Sequence, residues 1–170
     1  VHEPFAEWGW GHNIMFVNSE TWLLGTQDSG YWRTTDSGES WTQVSKVNMQ
    51  HGGTGLLITP RGVLYMGAAN TVLRSTDQGA SWRKVGPETP DGYYTVGSDG
   101  TYLYIQRSNT GDSVSEPSPF YISPIDDGIT WQPQPGGQTF DNGPFDLLFD
   151  PTSGVMVASN WLGGVWRLTV

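Results

Sequence analysis

The chain has 170 residues with 23 Gly, 11 Pro, 9 Trp, 7 Tyr, 6 Phe and only 15% charged residues, a composition for one domain of many short strands and tight turns rather than a disordered polypeptide. Lys and Arg number 8 against 17 Asp and Glu, so the formal charge of -9 disfavours a nucleic-acid binder, which needs a cationic footprint. There is no Cys, which removes disulfides, thiolate nucleophiles and Cys-based metal centres, and no apolar run approaches the length of a membrane span.

Taken in order, the elements fall into units. In the first, strands are expected over Asn13–Val17, Thr21–Gly25, Tyr31–Thr34 and Ser40–Val44. The second has Gly55–Thr59, Val63–Met66, Val72–Ser75 and Ser81–Val85. The third has Tyr93–Val96, Tyr102–Gln106, Phe120–Ser123 and Thr130–Gln132, and the fourth only Phe145–Phe149, Val155–Ala158 and Val165–Thr169. Turn signals such as Pro60-Arg61-Gly62 and Asp99-Gly100 separate them, and no stretch carries a long helical period. Thr34-Thr35-Asp36-Ser37-Gly38-Glu39-Ser40-Trp41 returns 41 residues later as Ser75-Thr76-Asp77-Gln78-Gly79-Ala80-Ser81-Trp82. It returns again, 49 residues on, as Pro124-Ile125-Asp126-Asp127-Gly128-Ile129-Thr130-Trp131, with a degenerate first position. Trp32-Arg33 and Leu73-Arg74 lead into the first two copies, Tyr121-Ile122 takes that place in the third, and Trp166-Arg167 opens a fourth that has no Asp turn.

Four-stranded units at this period read as propeller blades. The expected fold is therefore all-β, a β-propeller-like array of about four four-stranded blades in a single domain over 1–170, with units near 13–45, 53–86, 93–133 and 145–170. The last blade is incomplete, to be completed by the N-terminal segment or by another chain. In the repeated turn, Asp accepts hydrogen bonds from backbone amides, Gly takes a positive φ and Trp covers the blade edge. Three near-identical local sites make poor candidates for one catalytic centre, so these residues read as structural.

The three segments resemble the Asp-box, or sialidase-type (BNR) repeat, of a β-propeller superfamily, with its Ser-x-Asp-x-Gly-x-Thr-Trp pattern. On that resemblance Asp36, Asp77 and Asp126 hold the Asp position, Gly38, Gly79 and Gly128 the Gly position, and Trp41, Trp82 and Trp131 the Trp position. The motif occurs in sialidases, xyloglucan-active hydrolases, sortilin-like receptors, photosystem assembly factors and lectins. It therefore specifies blade architecture rather than activity, and it implies that the boxes lie at the blade periphery, away from the ligand face. Relatives carry six, seven or more blades, against about four here.

In a propeller the connections between units, and those joining second to third strands, gather at one end of the central channel. That face is where ligand chemistry is expected. Glu7-Trp8-Gly9-Trp10-Gly11-His12 is its densest group. Trp8, Trp10 and Trp161 would offer flat platforms for sugar faces, with His12, Asp28 and Asn160 as hydrogen-bond partners. Packing of the closing segment is the competing reading for the two N-terminal tryptophans. The histidines His2, His12 and His51 stand in no metal-ligating spacing, and neither metal nor cofactor is expected. Among Glu7, Asp28, Glu88, Asp91, Asp112, Glu116 and Asp141, no signature singles out an acid and a base for glycoside hydrolysis. The expected function is noncatalytic carbohydrate binding at the ring-mouth loops. The alternative is a glycoside hydrolase of the sialidase or xyloglucanase-like propeller type, or a fragment of one, and a third reading is a protein-interaction scaffold. Expected partners are a carbohydrate and a second chain or self-association that completes the propeller, with no nucleic acid and no membrane; the expected location is secreted or extracytoplasmic.

Overall fold

In the computed structural model the described residues are 11–50, 55–108, 117–137, 139–160 and 163–169. The expected Trp8 and Trp10 platforms, Trp161, His2 and His51 lie outside them, and of His12 only the backbone is described. All regular structure among the described residues is β, in antiparallel meanders.

Unit one is a sheet of β1 (Gly11–Phe16), β2 (Trp22–Thr26), β3 (Tyr31–Thr34) and β4 (Thr42–Ser45), paired in chain order. Unit two repeats it with β5 (Leu56–Ile58), β6 (Leu64–Gly67), β7 (Val72–Ser75) and β8 (Arg83–Lys84). Unit three has β9 (Gly97–Ser98), β10 (Tyr102–Gln106), β11 (Ser118–Pro124) and β12 (Gln132–Pro133), and β13 (Thr139–Phe140) pairs the start of β11. Unit four has three strands, β14 (Pro144–Asp150), β15 (Val155–Asn160) and β16 (Gly164–Thr169). The chain is of β-propeller type, and its described residues form four successive blades, the fourth with three strands.

The strands form where β-branched and aromatic residues alternate between two faces, and the faces turned toward a neighbouring unit pack on it. Met15, Leu23 and Tyr31 of unit one meet Leu64, Met66 and Leu73 of unit two in one buried cluster. Tyr65 and Val72, on the other face of unit two, meet Val96, Leu103 and Ile105 of unit three. Tyr104 and Phe120 of unit three meet Leu147, Met156 and Ala158 of unit four. The Tyr31 hydroxyl also crosses to unit two, donating to the Gly67 carbonyl at 2.8 Å.

One expected element moves. The first strand of unit three is Gly97–Ser98, not Tyr93–Val96. Tyr93 and Tyr94 instead run against the end of β6, where a Cβ on Gly67 would lie 2.3 Å from the Tyr93 carbonyl oxygen, and Tyr93 N–H donates to the Ala68 carbonyl. The strand-like apolar run of Tyr93 to Val96 reflects burial at a junction, which periodicity alone does not distinguish from a strand.

Candidate functional site

The repeated turns decide which carboxylates are free for chemistry. In unit one, Asp36 accepts from Ser40 N–H at 2.9 Å, from the Ser40 hydroxyl at 2.5 Å and from the Thr34 hydroxyl at 2.6 Å. Unit two repeats this at Asp77, with Ser81 N–H at 2.9 Å, the Ser81 hydroxyl at 2.6 Å and the Ser75 hydroxyl at 2.7 Å. Thr34 and Ser75 also accept from the N–H of Gly38 and Gly79, each at 2.9 Å. The hydroxyls of Ser40 and Thr34 hold the Asp36 carboxyl at about 2, below its ordinary 3.8. Those of Ser81 and Ser75 do the same for Asp77, again to about 2. The indoles of Trp41 and Trp82 donate to the carbonyls of Gly38 and Gly79 at 3.2 and 3.0 Å. Both carboxylates are saturated by their own turns and unsuited to proton transfer near neutral pH.

The third turn departs from this pattern. Asp127, not Asp126, accepts from Thr130 N–H at 2.9 Å. Asp126 points instead to Arg61 of unit two, at 2.9 Å in an exposed ion pair. Strand register gives the reason. Leu64 pairs with Ser75 in unit two, and Leu103 pairs with Ser123 in unit three. Ser123 thus holds the Ser place, and one extra residue separates it from Gly128. Its hydroxyl is buried without a partner among the described residues, as is the Trp131 indole N–H. Pro124, the degenerate first position of the third copy, is this insertion.

At the opposite end of the strands the connections between units close onto the connections within them. Ala69 N–H donates to the Asn48 carbonyl, and Ser108 N–H to the Gly92 carbonyl, both at 2.9 Å. Asn160 Nδ2 donates to the Asn142 carbonyl at 3.1 Å. In each case a residue between two units meets the end of the second strand of the following unit or the loop after it. The face is polar and largely tied. Gln50 Nε2 donates to the Asp91 carbonyl at 2.5 Å and to Ser108 Oγ at 2.9 Å, and Ser108 Oγ donates to the same carbonyl at 2.6 Å. Asn160, Gln106 and Ser118 form a second chain, Asn160 Nδ2 to Gln106 Oε1 at 3.4 Å and Gln106 Nε2 to the Ser118 carbonyl at 2.8 Å.

Above the first network stands a half-buried ion pair. Arg107 Nε lies 3.5 Å from Asp91 Oδ2, and both side chains are 21% exposed. Arg107 also lines a cleft of about 350 Å³ with Glu88, Thr89, Tyr93, Ser118 and Tyr121, between units two and three. Tyr93 is fixed there by donation to the Pro87 carbonyl at 3.0 Å, and burial pushes its hydroxyl pKa far up, so it stays neutral. Within the cleft the Arg107 guanidinium can donate to a ligand oxygen and the Glu88 carboxylate can accept from a hydroxyl. A larger cavity of about 480 Å³ lies elsewhere, between units three and four, walled by Tyr104, Phe120, Phe140, Leu147, Met156 and Trp166. Its lining is that of a blade interface. In the two preceding interfaces the corresponding space takes Trp82 and Trp131.

Of the residues expected to bind ligand, Asp28 is exposed on the β2–β3 connection of this face, and Asn160 is buried inside the amide chain, acting on its neighbours. The Asp91–Arg107 pair was not singled out by sequence. Its signals were a Pro90-Asp91-Gly92 turn and an Arg opening the longest loop, neither of which shows that the two meet. Among the described residues no three His, Asp or Glu side chains gather as a metal site.

No protein-family model and no curated protein matches the chain. Solved structures do. The GH74 enzyme of Niastella koreensis matches at TM-score 0.61 and 23% identity, over 83% of this chain and 23% of its own. An ancestral GH74 enzyme matches at TM-score 0.70 and 14% identity, over 95% of this chain and 23% of its own. The extracellular domain of a one-component system from B. thetaiotaomicron matches at TM-score 0.64 and 13% identity, over 93% and 20%. The chain spans under a quarter of these proteins, and at such identities the likeness shows the propeller fold alone.

Proposed function

We propose that the chain is a segment of a carbohydrate-recognising propeller that binds a glycan at its loop face without cleaving it. The observation that carries this reading is Arg107, paired with Asp91 and lining a cleft with Glu88, Thr89 and the half-buried Tyr121, which brings a guanidinium and polar side chains beside one accessible aromatic ring. The saturated turn carboxylates support it, since Asp36 and Asp77 are committed to structure. Trp8, Trp10 and Trp161 would add stacking platforms, with Asp28 as a further hydroxyl partner. The extracellular neighbour favours an extracytoplasmic location, where polysaccharides are met.

The second reading, glycoside hydrolysis, draws on the GH74 neighbours. Under it, the paired carboxylates that cleavage requires would be shared between this segment and further blades. A glycan array that includes xyloglucan, followed by product analysis of every bound polysaccharide, separates the two. Retention without released oligosaccharides, lost in Arg107→Ala or Trp10→Ala and kept in Asp77→Ala, is the expected result. Released oligosaccharides would establish the enzyme reading, and no retention of any glycan would defeat both.

A further inference from the structure

The two ends of the arc present the positions that, between successive units, form an interface. By strand register, Leu57, Tyr65, Val72 and Arg74 of unit two correspond to Leu148, Val157, Val165 and Arg167 of unit four. In unit two the first three pack on unit three. In unit four Leu148 and Val165 are 68% and 76% exposed. Likewise Leu56, Ile58, Leu64, Met66 and Leu73 of unit two correspond to Ile14, Phe16, Trp22, Leu24 and Trp32 of unit one. Leu64, Met66 and Leu73 are each 1% exposed against unit one, whereas Ile14 and Phe16 are 53% and 63% exposed.

Polar and turn contacts obey the same equivalence. Arg33 of unit one reaches across to unit two, its Nε donating to the Gln78 carbonyl at 2.9 Å. Arg167 holds the same place in unit four, and its side chain makes no hydrogen bond or ion pair among the described residues. Ser37 holds the place of Gln78, and the two share an unusual positive φ of 57° and 56°. The turn glycine of each following unit seats on the preceding one. A Cβ on Gly79 would lie 3.0 Å from Leu23, and one on Gly128 would overlap the Tyr65 hydroxyl. Leu23 and Tyr65 correspond to Val157, so Gly38 is the glycine that completes the series.

We propose that two copies of the chain pair head to tail, the Leu148–Val157–Val165 flank of each covering the Phe16–Trp22–Leu24 flank of the other. Arg167 then donates to the Ser37 carbonyl of the second copy and Val157 seats Gly38. A foreign apolar surface would serve one flank. A second copy serves both, because each flank's complement is the flank at the other end of the same chain. The contact is heterologous, and two of them close on a two-fold axis into a ring of eight units.

Sedimentation equilibrium over a concentration series tests this. Wild type is expected at twice the 18.7 kDa chain mass. Leu148→Glu and Phe16→Glu, both at exposed positions, are each expected to be monomeric with unchanged circular dichroism, and to melt cooperatively at a temperature that no longer depends on protein concentration. An equimolar mixture of the two is expected to recover a dimer, since it contains one intact flank of each kind. Arg167→Ala should weaken the wild-type dimer by about tenfold. A wild-type monomer at every concentration would overturn the proposal and assign the flanks to further blades of a longer chain. A dimer that survives both Glu variants, or a mixture that stays monomeric, would overturn it equally.

Discussion

Thr34 and Ser75 hold their turns from inside, each donating to an Asp and accepting from a Gly N–H two residues further on. Ser75 is buried, so Ser75→Ala leaves the Gly79 amide unpaired and should cost about 1–3 kcal/mol in chemical denaturation. Ser123→Ala should cost far less, because its hydroxyl has no partner among the described residues. Equal losses in both variants would contradict the one-residue insertion in the third turn. The carboxylates add a pH dependence. Folding lowers Asp36 and Asp77 from 3.8 to about 2, so the folded state favours their ionised forms. Their contribution is present above pH 3.8 and is lost as pH falls through about 2. The double variant Asp36→Asn, Asp77→Asn should therefore lose less stability than wild type between pH 4 and pH 2, read by urea unfolding at each pH. An unchanged slope would mean that other carboxyls dominate acid unfolding.

Within the sheets, one residue of register separates a blade interface from an open flank. Leu23 and Leu24 are adjacent on β2, yet Leu23 is fully buried against unit two and Leu24 only partly buried on the outer face. Leu23→Ala should cost about 2–5 kcal/mol of folding stability, and Leu24→Ala about 1 kcal/mol or less, both measured on the monomer in urea. Gly128→Ala meets the Tyr65 hydroxyl and forces a side chain into positive φ, which should cost about 1–3 kcal/mol. The strands were legible in sequence wherever alternation was long and turn residues flanked it, as at Tyr31–Thr34, Val72–Ser75 and Tyr102–Gln106. Tyr93 to Val96 misled because a buried junction carries the same residues as a strand. In the third turn, the recurring Asp, Gly and Trp were visible, but Asp126 and Asp127 stand side by side and only pairing shows which one serves.

Across the whole molecule, two kinds of site separate by end. The turns at one end repeat because every blade must reverse direction in the same way. The loops at the other end differ because each needs only to reach its neighbour, which leaves their chemistry free to serve recognition. The sequence identified that end by counting connections. It did not identify the Asp91–Arg107 pair, since the two residues are brought together by the seating of Gly92 against Ser108, a tertiary contact with no local signature. Nor did composition show that Asn160 is committed to Asn142 and Gln106 beneath the surface. The most direct measurement of the central claim is a calorimetric titration of a xyloglucan oligosaccharide, or of the best glycan from the array, into three proteins under identical conditions. Wild type and Asp77→Ala should bind alike, with Asp77→Ala melting lower, and Arg107→Ala should bind about tenfold or more weakly while its circular dichroism stays that of the folded protein. Binding lost in Asp77→Ala and retained in Arg107→Ala would contradict the assignment of structure to the turns and recognition to the loops.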